Sequence, residues 1–543
     1  MRRISIRRAT LVIAGVLFTP LAGIAQQAAP ATLQLTLAGA VERAIEHNPD
    51  LAVVRLGTQA DDARVAESRA AYTPMFQTAA GRSRTTTPPA SLLQGNAGLA
   101  VNDWFSSTGV TERVPWGGGT WTVSWDADRT TTNSPFSSFD PNLQSGVQVA
   151  FSQPLLRDRA IDGARRQYAV AKRDRDSSDL QFHESLVQTV AAVKRAYWTL
   201  KAAIANVAVQ QRSLDLAQEL ARQNEVRVDA GQIPPLDLVQ AQAEVAQRRQ
   251  NLIDARATEG DSEDRLRRLI MDPADAAFWS VPLDPIDAPP NPGAAPDVES
   301  AVANALHGRY DLARAGNDLQ NAETDVKYLG NQRLPDVRVE ASYRGNGLAG
   351  TQLLRTGGFP GIVTGTEDQS FGHALGQAFG ADYPTWSFGM TVSYPPGRSF
   401  EDASLARAEV ERRQAAERIA SLKLETAAAV RQAARQVTSS AERVDAARAS
   451  ATLAERRLSD EQRRYDVGLS TTFLVTQAQR DLLQAQVTLL QTTLDYQSAT
   501  VTFEAVQEAP DAADGATATV RGADVVFVPP STPQGLFRPG GGL

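Results

Sequence analysis

Two long segments of this chain contain almost no residue that would break an α-helix. Residues 155–233 include no proline and only two glycines, Gly163 and Gly231, and residues 398–509 include no proline and only Gly468. The sequences around Gly231 and Gly468 are alike, since RVDAGQIPPLDLVQAQ and RYDVGLSTTFLVTQAQ both end in Gln-Ala-Gln. The chain therefore predicts two very long helical segments, each interrupted at an equivalent point.

Apolar residues recur every seven positions in both segments, which predicts coiled-coil packing. At a rise of about 1.5 Å per residue, a helix over 156–229 is roughly 110 Å long, enough to cross a bacterial periplasm. The repeated positions are Leu186, Val193, Leu200, Val207, Leu214, Ala221 and Val228 in the first segment, and Val430, Val437, Val444, Ala451, Leu458 and Tyr465 in the second.

Each glycine break predicts a reversal of the chain into a helical hairpin. Glycine favours the position just past a helix end, because it adopts the left-handed conformation without a steric cost. In the second copy Ser470, Thr471 or Thr472 is expected to cap the next helix. In the first copy Pro234 and Pro235 suit the start of the new helix, and Asp237 favours its first turn.

The remainder of the chain is duplicated as well. AVERAIEHNPDL at 40–51 matches AVANALHGRYDL at 301–312, and the same spacing of 261 residues carries Pro74 onto Pro335. One helix is expected at the start of each copy, at about 36–72 and 298–331. The matches define a first structural repeat at 33–271 with a hairpin tip at 229–236, a linker at 272–297 that is rich in proline and predicted to be irregular, and a second structural repeat at 298–509 with a tip at 466–472.

Between the first helix and the hairpin, each repeat contains segments in which apolar and polar residues alternate, as in a strand with one apolar face. These segments are 120–126, 146–152, 336–343 and 386–394, within strand regions at about 75–152 and 335–395. A half-buried soluble sheet has the same pattern. Five of the seven tryptophans lie in or beside these segments, however, and such girdles are typical of membrane barrels: Trp104, Trp116, Trp121, Trp125 and Trp386.

The N-terminal residues predict a secretory signal peptide at 1–25. Four arginines precede a short apolar run at 9–21, and small residues lie at Gly23 and Ala25. About 13 apolar residues are too few to span a bilayer core of roughly 30 Å. A twin-arginine export signal is the alternative interpretation of the paired arginines. The tail at 510–543 is rich in proline, glycine and alanine, and we expect it to be poorly ordered or to lie along the surface.

Composition excludes several classes of function. Loss of the four signal-peptide arginines changes the formal net charge from −7 to −11, which argues against a nucleic-acid partner. The chain has no cysteine, and therefore no disulfide, thiolate metal site or cysteine nucleophile. No window after the signal peptide is apolar enough for a membrane helix, so any membrane segment is expected to consist of strands.

No motif predicts catalysis. The stretch Gly345-Asn-Gly347-Leu-Ala-Gly350 matches the dinucleotide-binding glycines, but the residues that follow, TQLLRTGGFPG, predict an extracellular loop rather than the required helix. No zinc-type spacing or nucleophile–base arrangement stands out. We therefore expect neither an enzyme nor a bound cofactor or metal. The four histidines are scattered: His47, His183, His307 and His373.

The NPDL motif, the duplicated halves, and the glycine breaks followed by LDLVQAQ and FLVTQAQ resemble the outer membrane factors of the TolC type, over about 33–509. The resemblance implies an α+β membrane protein, a homotrimer in which each protomer gives about four strands to one outer-membrane β-barrel. A long periplasmic α-helical coiled-coil barrel continues it. Four strands alone would be too few to close a barrel, because the smallest have about eight.

The resemblance also implies a function and partners. Such a protein is the passive exit duct of a tripartite efflux or type I secretion system, and works with a periplasmic adaptor and an inner-membrane transporter. The alternative is an exported coiled-coil structural or surface protein without a pore. The sequence identifies neither the substrate nor the class of pump. A hairpin at about 107–114 and 119–128 is expected to extend the barrel beyond the membrane, or else to raise the trimer to eighteen strands.

The same resemblance assigns residues at the hairpin tips. Tyr465 and Asp237 would form the hydrogen-bonded pair that closes the periplasmic gate; alternatively, Tyr465 only fills its heptad position and Asp237 only serves the helix terminus. Relatives carry an arginine where this chain has Ser470, and constriction aspartates where it has Leu474 and Gln477, so the constriction is expected to be less acidic. The expected adaptor contacts are Ala230, Gly231, Gln232, Val467, Gly468, Leu469 and Ser470.

Overall fold

The computed structural model describes residues 32–88, 98–275, 278–358, 361–394 and 400–507. The predicted signal peptide and C-terminal tail lie outside these residues. In chain order the elements are β1 (Leu33–Leu35), α1 (Leu37–His47), α2 (Pro49–Ala70), β2 (Met75–Thr87), β3 (Leu99–Arg113), β4 (Thr120–Thr132), β5 (Phe139–Pro154), α3 (Gly163–Asp229), α4 (Pro235–Ile270), β6 (Leu283–Pro285), α5 (Val298–Gly308), α6 (Tyr310–Gln332), β7 (Asp336–Thr356), β8 (Ile362–Gln369), α7 (Phe371–Gly380), β9 (Tyr383–Ser393), α8 (Phe400–Asp466) and α9 (Thr472–Gln507).

The helices repeat with the lengths that the duplicated sequence predicts. Helices α3 and α8 each contain 67 residues, and α4 and α9 each contain 36. Helices α1 and α5 each contain 11 residues. A helix of 67 residues is about 100 Å long, so α3 and α8 carry the hairpin tips far from the sheet. Among the described residues, no helix is both long enough and apolar enough to cross a membrane.

The order of the strands matches the order of the helices. Strands β2, β5, β7 and β9 are the ones that join long helices, namely α2, α3, α6 and α8. Helix α3 packs between α2 and α6, and α6 packs against α8. Beyond the ends of α2 and α6, α3 packs against α4 and α9, and α9 packs against α8. Four helices of one chain therefore lie side by side along the whole length.

The first helix of each repeat is two helices, not the single helix predicted. In the first repeat the break is at Asn48, whose side-chain oxygen accepts hydrogen bonds from the N–H groups of Asp50 and Leu51. Pro49 then begins α2. Proline suits the first helical position because its missing N–H would have no partner there. In the second repeat the break is at Arg309. The NPDL motif is thus a helix start.

The sheet contains more strands than the predicted four per protomer. Its order is β2-β3-β4-β5-β7, and β9 and β8 both pair with the remaining edge of β7, giving six strand positions. The predicted additional hairpin is β3 and β4, and it pairs with both neighbours along almost its full length. Of the two alternatives left open by the sequence, extension beyond the membrane or six strand positions per protomer, this pairing favours the second. The alternation of apolar and polar residues predicted which side chains of the hairpin share a face, but not which strands pair with it.

One face of this sheet is apolar, and much of it is exposed in the single chain. Trp386 and Phe388 are 73% and 69% exposed. An uncovered apolar face of this extent indicates an interaction surface, which disfavours a half-buried soluble sheet. The register places these side chains on that face: Phe76, Val110, Trp121, Val123, Trp125, Val147, Val149, Phe151, Val337, Val339, Tyr343, Trp386, Phe388, Met390 and Val392.

The dinucleotide-like glycines have a packing role. They lie within β7, which continues to Thr356, so the loop predicted directly after them is wrong. A Cβ atom on Gly345 would lie 2.1 Å from the backbone oxygen of Ala378, and one on Gly347 would lie 1.8 Å from that of Ala374. Both alanines belong to α7, so these two glycines allow α7 to pack directly on the strand.

The linker predicted at 272–297 contains, in its described part, the short strand β6, which pairs in parallel with β1. The carboxylate of Asp287 in this linker accepts hydrogen bonds from the N–H of Leu37, at 2.6 Å, and from the hydroxyl of Tyr197, at 3.0 Å. Burial is the main cause that raises the pKa of Tyr197 to about 12. The linker thereby ties the start of the first repeat to the middle of α3.

Candidate functional site

The two hairpin tips have the same backbone structure. Gly231 and Gly468 have positive φ angles of 71° and 78°. The N–H of Gly231 donates to the oxygen of Val228, and that of Gln232 donates to the oxygen of Arg227; Gly468 and Leu469 repeat this pattern. This is the Schellman ending of a helix. The hydroxyl of Thr471 accepts from the N–H of Leu474, which confirms one of the predicted caps.

Substituting either tip glycine should cost stability without a clash. No atom lies within 4 Å of a Cβ built on Gly231 or Gly468, so the effect of alanine is confined to the left-handed backbone. We expect Gly231→Ala and Gly468→Ala each to lower the free energy of unfolding by about 1 kcal/mol, measured by thermal unfolding. Gly260→Ala in the interior of α4, where no atom lies within 4 Å either, is the control and should stabilise slightly. Equal losses at Gly260 would contradict this explanation.

Just above the tips, one buried asparagine links the two hairpins. Asn224 of α3 is 0% exposed, and its side-chain oxygen accepts a 2.6 Å hydrogen bond from the hydroxyl of Tyr465 on α8. The hydroxyl of Thr472, which begins α9, lies 3.5 Å from the same oxygen and 3.3 Å from the tyrosine hydroxyl. The guanidinium of Arg227 lies over the Tyr465 ring, 4.1 Å from its centroid. We call Asn224, Arg227, Tyr465 and Thr472 the tip cluster.

The expected hydrogen bond between the side chains of Tyr465 and Asp237 is not formed. Asn224 lies between them, and its amide donates to the backbone oxygen of Asp237 at 3.4 Å. The reason is the order of the helices, since α3 and α9 both lie between α4 and α8. Sequence reasoning missed Asn224. The available signal was a buried series at heptad spacing three residues from the predicted one, namely Ala203, Gln210, Ala217 and Asn224.

Apolar side chains pack against Tyr465 of the tip cluster. Leu220, Leu458, Val475 and Leu482 form a buried group with Tyr465. The aromatic ring therefore belongs to the seam, as its heptad position predicts, while its hydroxyl makes the polar contact. Tyr465 thus fills its heptad position and also makes a polar contact, but with Asn224 and not with Asp237.

The two candidate constriction residues differ in their contacts. Leu474 is 44% exposed on the first turn of α9. The amide of Gln477 donates to Asp481 at 2.7 Å, and Asp481 also accepts from Arg457 at 2.9 Å. An acidic group is therefore present one turn beyond Gln477, but it is paired with an arginine.

The predicted adaptor-contacting residues form an accessible surface. Ala230, Gly231, Gln232, Val467, Gly468 and Leu469 are exposed, and Ser470 is half-buried. Val467 and Leu469 are 70% and 79% exposed, and Leu236 and Phe473, which occupy equivalent positions in the two repeats, are each 64% exposed. Exposed apolar residues at the ends of both hairpins are typical of a docking surface.

A second polar contact joins the hairpins farther from the tips. Glu244 of α4 forms an ion pair with Arg248 of the same helix, and accepts a 2.5 Å hydrogen bond from Arg480 of α9. The side chains of Glu244 and Arg248 are only 8% and 6% exposed. Burial by itself would raise the pKa of Glu244, but Arg480 and Arg248 outweigh it and hold that pKa below its usual value.

Within the described ranges, no group of three or more histidine, aspartate or glutamate side chains could hold a metal ion. What this region offers chemically is a set of polar contacts between helices that can form and break.

Comparisons with known proteins agree with this architecture. The chain resembles solved structures of the outer membrane channel CmeC from Campylobacter jejuni (15% identity, 87% of this chain and 85% of the other, TM-score 0.64), VceC from Vibrio cholerae (15%, 87% and 96%, 0.61) and the open state of the MtrE channel from Neisseria gonorrhoeae (17%, 87% and 88%, 0.58). At these identities the likeness shows the fold. No curated protein sequence matches the chain.

The family comparison covers both repeats. The family model described as outer membrane efflux protein matches residues 119–270 and 301–506, together more than half of the chain. The predicted location in the outer membrane with a periplasmic extension is confirmed. The family and the similar structures are channels, which fits the expectation that the chain is not an enzyme. The chain belongs to the outer membrane efflux protein family.

Proposed function

We propose that three copies of this chain form the passive exit duct of a tripartite efflux or type I secretion system. The two edges of the sheet, β2 and β9, would pair between neighbouring copies and close a barrel of eighteen strands. This closure would remove every exposed strand edge, and would turn the apolar face toward lipid. The helices of the three copies would continue the barrel through the periplasm.

The observation that carries this proposal is the tip cluster. Both hairpins end about 100 Å from the sheet, and a buried polar contact holds them together directly behind an exposed apolar surface. A periplasmic adaptor that docks on this surface would separate the hairpins and open the duct, and an inner-membrane transporter would supply the energy. Tyr465 and Asn224 would form the gate, and Asp237 would take part through its backbone oxygen.

Cross-linking tests where the adaptor docks. The chain has no cysteine, so single cysteines report on single positions. We expect Gln232→Cys and Leu469→Cys to cross-link to the adaptor in cells through a short bifunctional reagent. Leu424→Cys is the matched control, because this residue is 75% exposed on α8 but lies 44 residues from Gly468. Cross-linking at Leu424 and not at the tips would contradict tip docking.

The rival function, an exported structural protein without a pore, predicts different behaviour of the purified protein. A duct should run as a heat-sensitive trimer in electrophoresis, fractionate with outer membranes and give single-channel steps in planar bilayers. A protein that fractionates with the membrane but never conducts, even with the adaptor present, would favour the rival.

A further inference from the structure

A row of positive charge crosses the apolar face of the sheet near its outer end. Arg82 on β2, Trp104 on β3 and Arg129 on β4 are direct cross-strand neighbours. The Arg82 guanidinium lies over the Trp104 ring, 5.0 Å from its centroid. Arg84 lies two residues farther along β2 and therefore on the same face. We call Arg82, Arg84, Trp104 and Arg129 the arginine row.

The arginine row has no acidic partner among the residues that the structure describes. The aspartates of the same strands, Asp103, Asp126 and Asp128, alternate with Trp104 and Arg129 and so lie on the opposite face. There Asp126 pairs with Arg344 of β7, and Asp103 accepts a hydrogen bond from Thr130. Within the described ranges, the positive charge of the arginine row is thus left without a counter-charge on its own face of the sheet.

The position of the row corresponds to the outer interface of the membrane. The helices extend into the periplasm from the opposite end of the sheet, where Trp121 lies on the same face of β4. Trp121 and Arg129 are eight residues apart, about 27 Å along a strand. At the usual barrel tilt of about 40° this is roughly 20 Å of height, close to the apolar band of about 25 Å in outer-membrane barrels.

The surface beside the row is a groove. It has a volume of about 600 Å³, and its lining includes Ala80, Ala127, Leu143 and Phe371, one acidic residue, Asp128, and the row members Arg82, Trp104 and Arg129. By register, Trp104, Arg129 and Leu143 lie on the apolar face of the sheet. An arginine guanidinium binds phosphate through paired hydrogen bonds, and Arg82 and Arg129 are separated by two strand spacings, about 10 Å.

We propose that the arginine row binds the phosphate headgroup of a lipid in the outer leaflet, and that the acyl chains lie in the groove and on the apolar face. The combination of guanidinium groups, one aromatic side chain and an apolar floor matches a molecule that has an anionic head and hydrocarbon tails. A soluble anion would contact only the guanidinium groups, and a neutral lipid would contact only the apolar floor.

The proposal is tested with the purified protein in phosphatidylcholine nanodiscs doped with diphosphoryl lipid A or with its dephosphorylated form. Native mass spectrometry then counts the lipid A molecules retained after transfer to detergent. We expect about one diphosphoryl lipid A per chain, and a roughly twentyfold lower occupancy in the Arg82→Gln/Arg129→Gln double variant. Arg456→Gln, at an exposed position on α8, is the matched control and should retain the lipid.

Three results would overturn the proposal. One is equal retention of diphosphoryl lipid A by the wild type and the double variant, where both run as the folded form in electrophoresis. Another is equal retention of the two lipid forms by the wild type, which would show that the groove binds hydrocarbon alone. Displacement by millimolar inorganic phosphate would also contradict it, because the tails should hold the lipid. The conductance of the double variant in planar bilayers tests separately whether the chain forms a duct.

Discussion

Replacing Asn224 with alanine should open the channel. The change removes the 2.6 Å acceptor of the Tyr465 hydroxyl in a buried site and leaves it only the Thr472 hydroxyl at 3.3 Å. Loss of hydrogen bonding by a buried polar group costs about 1–3 kcal/mol. Only the closed arrangement bears this cost, so the ratio of open to closed channels should rise by about five- to 150-fold. The measurement is single-channel conductance and open probability in planar bilayers.

Three further variants locate the gate. Tyr465→Phe removes only the hydroxyl and should raise the open probability less than Asn224→Ala. Asp237→Asn should leave it unchanged, because Asp237 contacts the cluster through its backbone oxygen. Gln250→Ala, on the exposed face of α4, controls for an unspecific effect. If Asp237→Asn opens the channel and Asn224→Ala does not, the carboxylate is the gate partner and our assignment fails.

Glu244→Gln should destabilise the protein more than any exposed ion-pair variant. Removing one partner of a buried ion pair leaves the other charge uncompensated, here Arg248, and costs about 3–5 kcal/mol. The ion pair of Arg407 and Glu411 on α8 also spans one turn but is largely exposed. Glu411→Gln is therefore the matched control, and should cost less than about 1 kcal/mol. Equal shifts of the unfolding midpoint in Glu244→Gln and Glu411→Gln would contradict a stabilising buried contact between the hairpins.

The effect of Glu244→Gln should depend on pH in a defined direction. The folded-state pKa of Glu244 is lowered, so the contact stabilises the protein fully above the unfolded-state pKa of about 4.3. This stabilisation is lost as the pH falls through the folded-state pKa. We expect the difference in unfolding midpoint between wild type and variant to be constant above pH 5 and to shrink below about pH 4. A difference that grows on acidification would refute the ion pair.

The long helices and their turning points could be predicted from the sequence, because residues 155–233 and 398–509 contain no proline and, apart from Gly163, their only glycines lie where the chain reverses. The duplication strengthened this prediction, because Gly231 and Gly468 occupy equivalent positions and the same turn accounts for both. The strands were predictable for a similar reason, as alternation fixes which side chains share a face.

The contacts between elements could not be predicted in the same way. A heptad repeat shows that Tyr465 lies in a seam, but not that α3 rather than α4 faces it. The role of Asn224 was therefore not predicted, although a polar residue at a seam position often specifies which helices pair. The strands β3 and β4 were predicted, but the sequence left open whether they join the barrel. Helix α7 was missed because its sequence, FGHALGQAFG, is rich in glycine.

The hairpin of β3 and β4 has a consequence for the width of the conduit. Twelve helices about 10 Å apart enclose a ring of roughly 120 Å. Twelve strands about 4.8 Å apart, tilted by about 40°, would enclose only roughly 75 Å, whereas eighteen enclose roughly 113 Å. In the proposed trimer, the inserted hairpin would therefore make the two circumferences nearly equal, and the wall would not narrow where the helices meet the strands. Bulky cargo that clears the periplasmic aperture would meet no second bottleneck at the cell surface.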